Sequence, residues 1–201
     1  MAKLYFKYGA MGSSKTAQAL ITKFNYEERG MSVWLIKPAT DDRDGATVIR
    51  SRIGLSAEGD VIRNEDNIAT LYKLRGRHDV IIADECQFLT PAHIQQLRDL
   101  VDEEDVPVLC FGLRTDFQTH LFPGSRRLFE LADSITEIKT ICECGSKAIV
   151  NARLGPDGKV VTEGAQVMLG GNDSYIAMCY SCYRKRIARE RSERGQEKLP
   201  L

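Results

Sequence analysis

The chain has 201 residues, of which 43% are hydrophobic, and this is enough for one domain with a sizeable core plus a small appendage. Its 28 Lys and Arg residues balance 28 Asp and Glu residues, so the formal net charge is zero. A balanced chain is not drawn as a whole to nucleic acid or to anionic lipid. No apolar run approaches the roughly 20 residues that cross a bilayer, and no secretory leader is recognisable. We therefore expect a cytoplasmic protein with no nucleic-acid or membrane partner.

Strand-like and helix-like stretches alternate over the first 138 residues. This alternation predicts a parallel α/β sheet flanked by helices. The predicted strands are 4–8, 32–37, 79–84, 107–112 and 134–138. The predicted helices are 15–28, 67–74, 90–103 and 125–132. Residues 38–66 show no clear periodicity and are predicted to be irregular.

A phosphate-binding loop is predicted immediately after the first strand. The sequence there is Gly9-Ala10-Met11-Gly12-Ser13-Ser14-Lys15-Thr16. A strand, a Gly-rich turn and a helix that begins with Lys-Thr are the parts of the loop that P-loop NTPases use. Backbone N–H groups and the helix dipole would face the phosphates, Lys15 would reach the β- and γ-phosphates, and Thr16 would ligate Mg²⁺. The pattern departs at Ser14, where Gly is usual, and Ser fits there if its φ is negative.

Two acidic residues follow the buried strand 79–84. Asp84 ends that strand, and in open α/β sheets the ligand crevice lies at the carboxyl ends of the strands. A carboxylate at this place is expected to associate with Mg²⁺. Glu85 either deprotonates a substrate hydroxyl, as in a kinase, or orients a water, as in an ATPase motor. The local sequence leaves both interpretations open.

Four of the six cysteines form two close pairs in the last third of the chain. They are Cys142 with Cys144 and Cys179 with Cys182. Four thiolates suit tetrahedral Zn²⁺, and a zinc with four protein ligands is structural because it has no open position. The second pair has the usual zinc spacing, whereas the first has one intervening residue instead of two. The other cysteines, Cys86 and Cys110, lie in or beside predicted core strands and are interpreted as packing residues.

The order of these motifs resembles the type II thymidine kinases, the cytosolic deoxynucleoside kinases with a zinc-bearing lasso domain. The resemblance extends from Leu4 to about Arg184. Besides the loop and the cysteines, it rests on four further segments. They are Asp41-Asp42-Arg43, Asp84-Glu85-Cys86-Gln87-Phe88, Gly112-Leu113-Arg114-Thr115-Asp116-Phe117 and Gly170-Gly171-Asn172-Asp173-Ser174-Tyr175.

The resemblance implies a fold, an activity and a set of site residues. The fold is a P-loop α/β domain over 1–139, a zinc-binding lasso domain over 140–188 and a charged, frayed tail over 189–201. The activity is transfer of the γ-phosphate of ATP to the 5′-hydroxyl of thymidine, and of deoxyuridine, with Glu85 as the general base and dTMP as the salvage product. The phosphate-binding residues are Gly9, Ala10, Met11, Gly12, Ser13, Ser14, Lys15, Thr16, Asp41, Arg43, Asp84, Glu85, Cys86 and Gln87. The nucleoside-binding residues are Met11, Phe88, Leu113, Phe117, Gln166, Val167, Met168, Leu169, Gly170 and Tyr175.

The implied cofactors are Mg²⁺, held by Thr16 and Asp84, and a structural Zn²⁺. The resemblance also implies a homotetramer and feedback inhibition by thymidine triphosphate. Two other interpretations fit parts of the sequence. One is a P-loop ATPase with a zinc ribbon that acts on nucleic acid. The other is a zinc-dependent interaction module whose nucleotide site is degenerate because of Ser14.

Overall fold

The computed structural model describes residues 1–40, 47–166 and 174–196. The helices of the described residues are α1 (Lys15–Glu27), α2 (Ile68–Arg75), α3 (Pro91–Glu104), α4 (Pro123–Leu131) and α5 (Tyr180–Gln196). The strands are β1 (Leu4–Tyr8), β2 (Val33–Pro38), β3 (Val48–Arg50), β4 (Ser56–Glu58), β5 (Asp60–Ile62), β6 (Val80–Ala83), β7 (Val108–Gly112), β8 (Ser134–Glu137), β9 (Val150–Arg153) and β10 (Tyr175–Met178).

Within the described residues, six strands form one sheet in the order β5-β2-β6-β7-β1-β8, and neighbouring strands in it pair in parallel. This confirms the predicted parallel α/β sheet flanked by helices. The strands β6 and β7 are buried along their whole length, as their continuous apolar sequences predict. Strands β1 and β6 both pair with β7, so the segments that follow them leave the same edge of the sheet.

Side chains that alternate along the strands belong to two separate apolar clusters. In β6, Ile81 belongs to one cluster while Val80 and Ile82 belong to the other. In β7 the pattern repeats, with Val108 in the first cluster and Leu109 in the second. Because successive strand residues point to opposite faces, helices are needed on both sides of the sheet.

The prediction that residues 38–66 are irregular was wrong in part. Strands β3 and β4 pair with each other antiparallel, and β5 joins the main sheet beside β2. Each of these strands has only three residues, which is too short to show a periodicity in the sequence. Strand β5 is recognisable only through its partner, since Val61 pairs with Lys37 and Ile62 with Pro38.

The chain divides into two compact units. The first contains residues 1–9, 14–114 and 121–138, and the second contains 10–13, 115–120 and 139–201. The second unit has its own apolar cluster, in which Val150 and Ala152 of β9 pack with Met178 and Tyr183. Strands β9 and β10 pair antiparallel in this unit. The resemblance implied a single boundary after residue 139. The grouping in the structure differs from it, because residues 10–13 and 115–120 belong with the second unit.

Helix α5 begins directly after Cys179 and continues into the predicted tail. Glu190 lies in that tail, yet its side chain is buried and accepts a hydrogen bond from the Val160 backbone N–H at 2.9 Å. Arg186 donates to the same carboxylate at 3.2 Å and to the Gly158 carbonyl at 2.6 Å. These bonds make the helix through Glu190 part of the second unit. Among the described helices, none combines the length and apolarity needed for a membrane span.

Candidate functional site

The loop after β1 is a tight turn. Its Gly9 N–H donates to the Gly112 carbonyl at 3.2 Å within the first unit. Within the second unit, the Ser13 N–H donates to the Ala10 carbonyl at 3.3 Å. Gly12 has φ +74, a left-handed conformation that a Cβ would strain. The segment therefore has the turn and the helix start that a phosphate-binding loop requires.

Ser14 adopts a left-handed backbone conformation that is more usual for glycine. Its φ is 61 and its ψ is 28, so the negative φ at which Ser would fit without strain is not observed. The backbone must reverse here to enter α1, and the Ser14 carbonyl already accepts the first helical bond, from Gln18 N–H at 3.0 Å. The side chain is exposed and caps no backbone N–H group. A left-handed conformation costs an L-residue roughly 1–2 kcal/mol.

Lys15, Asp84 and Glu85 form a charge cluster in the first unit. Lys15 is 9% exposed and Asp84 is 3% exposed. Burial lowers the pKa of Lys15, while the carboxylates of Glu85 and Asp84 act in the opposite direction. Burial raises the pKa of Asp84 to about 7, and the nearby Glu85 carboxylate adds to this rise. A buried amine and a buried carboxylate thus lie close to the half-buried carboxylate of Glu85, an arrangement that is common at functional sites.

Thr16 and Asp84 are in direct contact. The Thr16 hydroxyl hydrogen-bonds the Asp84 carboxylate, and this bond lowers the pKa of Asp84 against the effect of burial. A hydroxyl and a carboxylate oxygen are hard donors of the kind that Mg²⁺ prefers. The two residues predicted to hold Mg²⁺ therefore fit that cation.

Glu85 has an unusual backbone conformation, and a buried glutamine holds its carboxylate. Its φ is 48, a left-handed value uncommon for a residue other than Gly. Gln87 is 1% exposed, and its Nε2 donates to Glu85 Oε2 at 2.6 Å. The Oε1 of the same amide accepts from the Leu113 N–H at 2.9 Å. Backbone strain at a half-buried carboxylate with a fixed position is typical of functional sites.

Three other residues of the first unit that were predicted to bind phosphate or nucleoside make contacts outside the charge cluster. They are Phe88, Leu113 and Cys86. Phe88 is half-buried and packs edge-on against Phe122, with ring centroids 5.5 Å apart. The Leu113 carbonyl accepts a bond from Ser125 Oγ at 2.5 Å, which fixes the backbone there. Cys86 is fully buried, and burial raises the pKa of its thiol well above the usual value. The side chain of Cys86 therefore packs inside the unit.

In the second unit, the predicted nucleoside-binding residues share a hydrogen-bond network. The Met11 N–H donates to Asn151 Oδ1 at 2.8 Å. Gln166 Nε2 donates to Asp116 Oδ2 at 2.8 Å, and Tyr175 Oη accepts from Arg153 Nε at 2.8 Å. Phe117 is also in this unit, and the Arg153 guanidinium lies over its ring. The remaining predicted residues, Asp41, Arg43, Val167, Met168, Leu169 and Gly170, lie outside the described residues.

Sequence reasoning missed two residues of this network. Asn151 is 2% exposed and bridges the Met11 N–H to the Thr115 carbonyl, to which its Nδ2 donates at 2.8 Å. Arg153 is 4% exposed. Both lie on β9, two positions apart and so on one face of an otherwise apolar strand. The sequence signal that could have identified them is the alternation of Asn151 and Arg153 with the apolar residues Val150 and Ala152.

The four paired cysteines converge within the second unit. Their Sγ atoms all lie within 4.8 Å of one another, and those of Cys144 and Cys179 are 3.7 Å apart. A tetrahedral zinc with Zn–S bonds of about 2.3 Å needs sulfur separations of about 3.8 Å. Gly145 has φ +82, and its N–H donates to the Cys142 carbonyl at 2.8 Å, which closes the turn of the first pair. The cluster is therefore able to bind zinc despite the short spacing of its first pair.

Comparisons with known proteins agree on one family. The family model described as Thymidine kinase matches residues 2–183. A thymidine kinase of Vibrio cholerae serotype O1 is 45% identical over 193 residues, which are 94% of this chain and 100% of that protein. A thymidine kinase of Legionella pneumophila is 46% identical over 189 residues, which are 92% of this chain and 90% of that protein. One of Ruegeria pomeroyi is 45% identical over 188 residues, which are 92% and 95% of the two chains.

Among solved structures, the X-ray structure of the Legionella pneumophila ATPase DotB is similar with a TM-score of 0.37. It is 16% identical, and the match covers 73% of this chain and 43% of that one. A likeness of this size says nothing about activity.

Proposed function

The chain belongs to the thymidine kinase family, and from this premise we propose that it transfers the γ-phosphate of ATP to the 5′-hydroxyl of thymidine. The product is dTMP, and the reaction belongs to pyrimidine salvage. Deoxyuridine is accepted as well, because a single methyl group in a pocket is worth only about 1–3 kcal/mol of discrimination. The observation that carries the proposal is the family match over residues 2–183.

The charge cluster supports the phosphoryl-transfer half of this proposal. Lys15 is a buried cation beside Asp84 and Glu85, and it follows the turn that would cradle the phosphates. Lys15 stabilises negative charge on the transferring group, so that catalysis is mostly positioning and electrostatic stabilisation. Thr16 and Asp84 would hold Mg²⁺, which would supply positive charge to neutralise the phosphates.

Glu85 is the proposed general base. It takes the proton from the 5′-hydroxyl as that oxygen attacks the γ-phosphorus. The bond from the γ-phosphorus to the β–γ bridging oxygen breaks, its electron pair leaves with ADP, and the proton stays on the Glu85 carboxyl until the products leave. Gln87 supports this role because its Nε2 donates to Glu85 Oε2 at 2.6 Å and so positions the carboxylate. Asp41 and Arg43 are proposed to contact the phosphates on the strength of the resemblance alone.

Aromatic and backbone groups are proposed to bind the nucleoside. Phe117 and Tyr175 provide apolar ring surface, and residues 166–170 provide main-chain polar groups for the edge of the base. Phe88, Leu113 and Met11 are assigned to the same task. Support comes from the second-unit network, which fixes the Tyr175 hydroxyl and the Gln166 side chain in defined places.

Zinc is proposed to be structural. The four Sγ atoms are close enough for a tetrahedral site, and four thiolates leave no position for a substrate. The bound metal would join the turn at Cys142 and Cys144 to the start of α5 at Cys179 and Cys182, and so stabilise the second unit.

Family membership alone supports four further proposals. They are a homotetramer, a cytoplasmic location, inhibition by thymidine triphosphate, and ATP as the phosphate donor. Light scattering measures the assembly, and inhibition of initial rates by thymidine triphosphate measures the feedback.

A panel of natural nucleosides with ATP and Mg²⁺, scored for monophosphate, tests the proposed activity. We expect monophosphate from thymidine and deoxyuridine and little from purine nucleosides. ADP release that responds to single-stranded DNA and not to thymidine would favour the nucleic-acid ATPase instead. Absence of saturable ATP-analogue binding would favour the degenerate interaction module.

A further inference from the structure

Arg153 hydrogen-bonds Ala165 and Gln166 as well as Tyr175, and the proposed function assigns Gln166 and Tyr175 to the nucleoside. Its Nη1 donates to the Ala165 carbonyl at 3.0 Å and its Nη2 to the Gln166 carbonyl at 3.1 Å. Its Nε donates to Tyr175 Oη at 2.8 Å. One guanidinium group thus bonds the chain immediately before residues 167–173 and, through Tyr175, the chain just after them.

The same guanidinium also lies against aromatic rings. Its Cζ is 3.8 Å from the centroid of the Phe117 ring and 5.3 Å from that of Tyr175. Arg153 is 4% exposed, so these contacts are made out of water, where a cation over a ring face is attracted most strongly. Both rings belong to the predicted nucleoside-binding set, and Arg153 restricts the orientation of each.

A second set of bonds holds residues 162–166 to residues 115–120. Gln166 Nε2 donates to Asp116 Oδ2 at 2.8 Å, and Gln118 Nε2 donates to the Thr162 carbonyl at 3.0 Å. Asp116 is 3% exposed, and its Oδ1 accepts from the Gln118 and His120 N–H groups at 2.9 Å. The carboxylate that receives Gln166 is itself fixed, so residues 162–166 are held both by Asp116 and by Gln118.

We propose that Arg153 is a positioning residue for nucleoside binding, and this inference rests on the proposed thymidine kinase activity. Arg153 arranges Tyr175, Phe117 and the main chain at residue 166 before thymidine arrives. Without it, the binding of thymidine has to supply the free energy for ordering Tyr175, Phe117 and the main chain at residue 166, so affinity falls. The reacting carboxylate and the phosphate loop are not partners of Arg153 in any of its described bonds. The loss should therefore appear in KM for thymidine and not in KM for ATP.

Lysine is not expected to replace this arginine. The acceptors of Arg153 are a phenol oxygen and two separate carbonyls, reached by three nitrogens of one planar group. A lysine ammonium is a single point and cannot reach all three acceptors or stack its plane on Phe117. Arg153→Lys keeps the charge and loses the geometry, whereas Arg153→Met loses both.

A matched control is available in the same unit. Arg186 also donates to a backbone carbonyl, that of Gly158, and also contacts a buried acceptor, Glu190. Its described partners lie away from residues 165–175. Arg186→Met therefore tests what the loss of an arginine-to-carbonyl bond does to stability alone.

The experiment measures zinc content, thermal unfolding and steady-state kinetics for the wild type and these three variants. For both Arg153 variants we expect KM for thymidine to rise by about tenfold or more, as when several bonds of a buried cation are lost. KM for ATP should stay within about twofold and kcat within about threefold of wild type. The reason is that the variants weaken thymidine binding equally in the ground state and in the transition state. Arg186→Met should change unfolding temperature with neither KM affected.

Tyr175→Phe supplies a second test that leaves the guanidinium in place. It removes the acceptor of Arg153 Nε, so its effect on KM for thymidine should be non-additive with that of Arg153→Met. An active wild type with unchanged thymidine KM in the Arg153 variants would overturn the inference alone. Equal rises in both KM values, as in a general loss of structure, would do the same. A wild type without thymidine-dependent turnover would overturn the proposed function and the inference with it.

Discussion

Gln87 Nε2 donates to Glu85 Oε2 at 2.6 Å, so the proposed base is oriented by a side chain that is itself buried. The other end of the amide accepts from the Leu113 N–H, which gives the glutamine only one orientation with both bonds made. A strained Glu85 backbone and an oriented carboxylate together suggest that the position of this oxygen matters for catalysis.

Gln87→Leu should therefore reduce kcat. The carboxylate of Glu85 would lose its support, and a misplacement of about 1 Å can cost roughly 10²-fold in rate. The Leu113 N–H would also lose its acceptor, at a cost of about 1–3 kcal/mol in the free energy of unfolding. Steady-state kinetics and urea unfolding measure the two effects. Gln95→Leu, a glutamine on α3 that accepts from Arg127, is the control and should keep normal kcat. Equal kcat in wild type and Gln87→Leu would show that the amide does not orient the base.

Ser14→Gly should stabilise the protein. The left-handed conformation costs Ser14 roughly 1–2 kcal/mol, whereas the extra unfolded-state entropy of Gly costs about 0.5–1 kcal/mol. The strain is the larger effect, so a net gain of about 0.5 kcal/mol is expected in urea unfolding. Ser14→Ala is the matched control, since it keeps the Cβ and removes only an exposed hydroxyl. If Ala and Gly change the free energy of unfolding equally, backbone strain at this position is not the cause.

Zinc should be lost when one cysteine of the cluster is replaced. Purified wild type is expected to contain about one zinc per chain, and Cys182→Ser well below that, because an incomplete thiolate set binds zinc weakly. Elemental analysis measures the metal, and near-ultraviolet circular dichroism follows the second unit. Cys110→Ala, in β7 of the first unit, should retain its zinc. Full zinc content in Cys182→Ser would contradict the assignment.

The ionised carboxylate of Asp133 should add to the free energy of unfolding near neutral pH and lose this effect in acid. The Leu4 N–H donates to its Oδ2 at 2.7 Å and Arg98 Nη1 donates to it at 2.6 Å. The pKa of Asp133 is held below its usual value. The larger cause is the hydrogen bond from the Leu4 N–H, and the smaller cause is Arg98. A depressed pKa stabilises the fold above the unfolded-state pKa of about 3.9, and the contribution is lost as pH falls through the folded-state value.

The difference in unfolding free energy between wild type and Asp133→Asn should therefore be largest near pH 6–7 and shrink in acid below roughly pH 4. Urea unfolding over that pH range measures it. A difference that stays constant with pH would mean that the charge of Asp133 does not contribute to stability.

The sequence predicted the sheet and the charge cluster because their signals are local. The runs that became β6 and β7 are apolar throughout, and Lys15, Thr16, Asp84 and Glu85 are set by short motifs next to strand ends. The cysteine cluster was predictable for the same reason, since each pair is close in sequence.

Other features depend on partners far away in the chain, and these were missed. Strand β5 is three residues long and is defined by pairing with β2. The positive φ of Ser14 follows from the geometry of the loop and not from its residue type. Arg153 is recognisable only when Ala165, Gln166 and Tyr175 are seen around it, because no spacing in the sequence brings these residues together.

The most direct test of the account is the initial rate of dTMP formation from thymidine, ATP and Mg²⁺ by wild type and Glu85→Gln. Glutamine keeps an oxygen to accept from Gln87, so the fold is preserved while the base is removed. The account predicts a thymidine-dependent rate for wild type, a fall of about 10²–10⁴-fold for Glu85→Gln, and thymidine affinity within about threefold of wild type. No thymidine-dependent rate in the wild type, or an unchanged rate in Glu85→Gln, would contradict it.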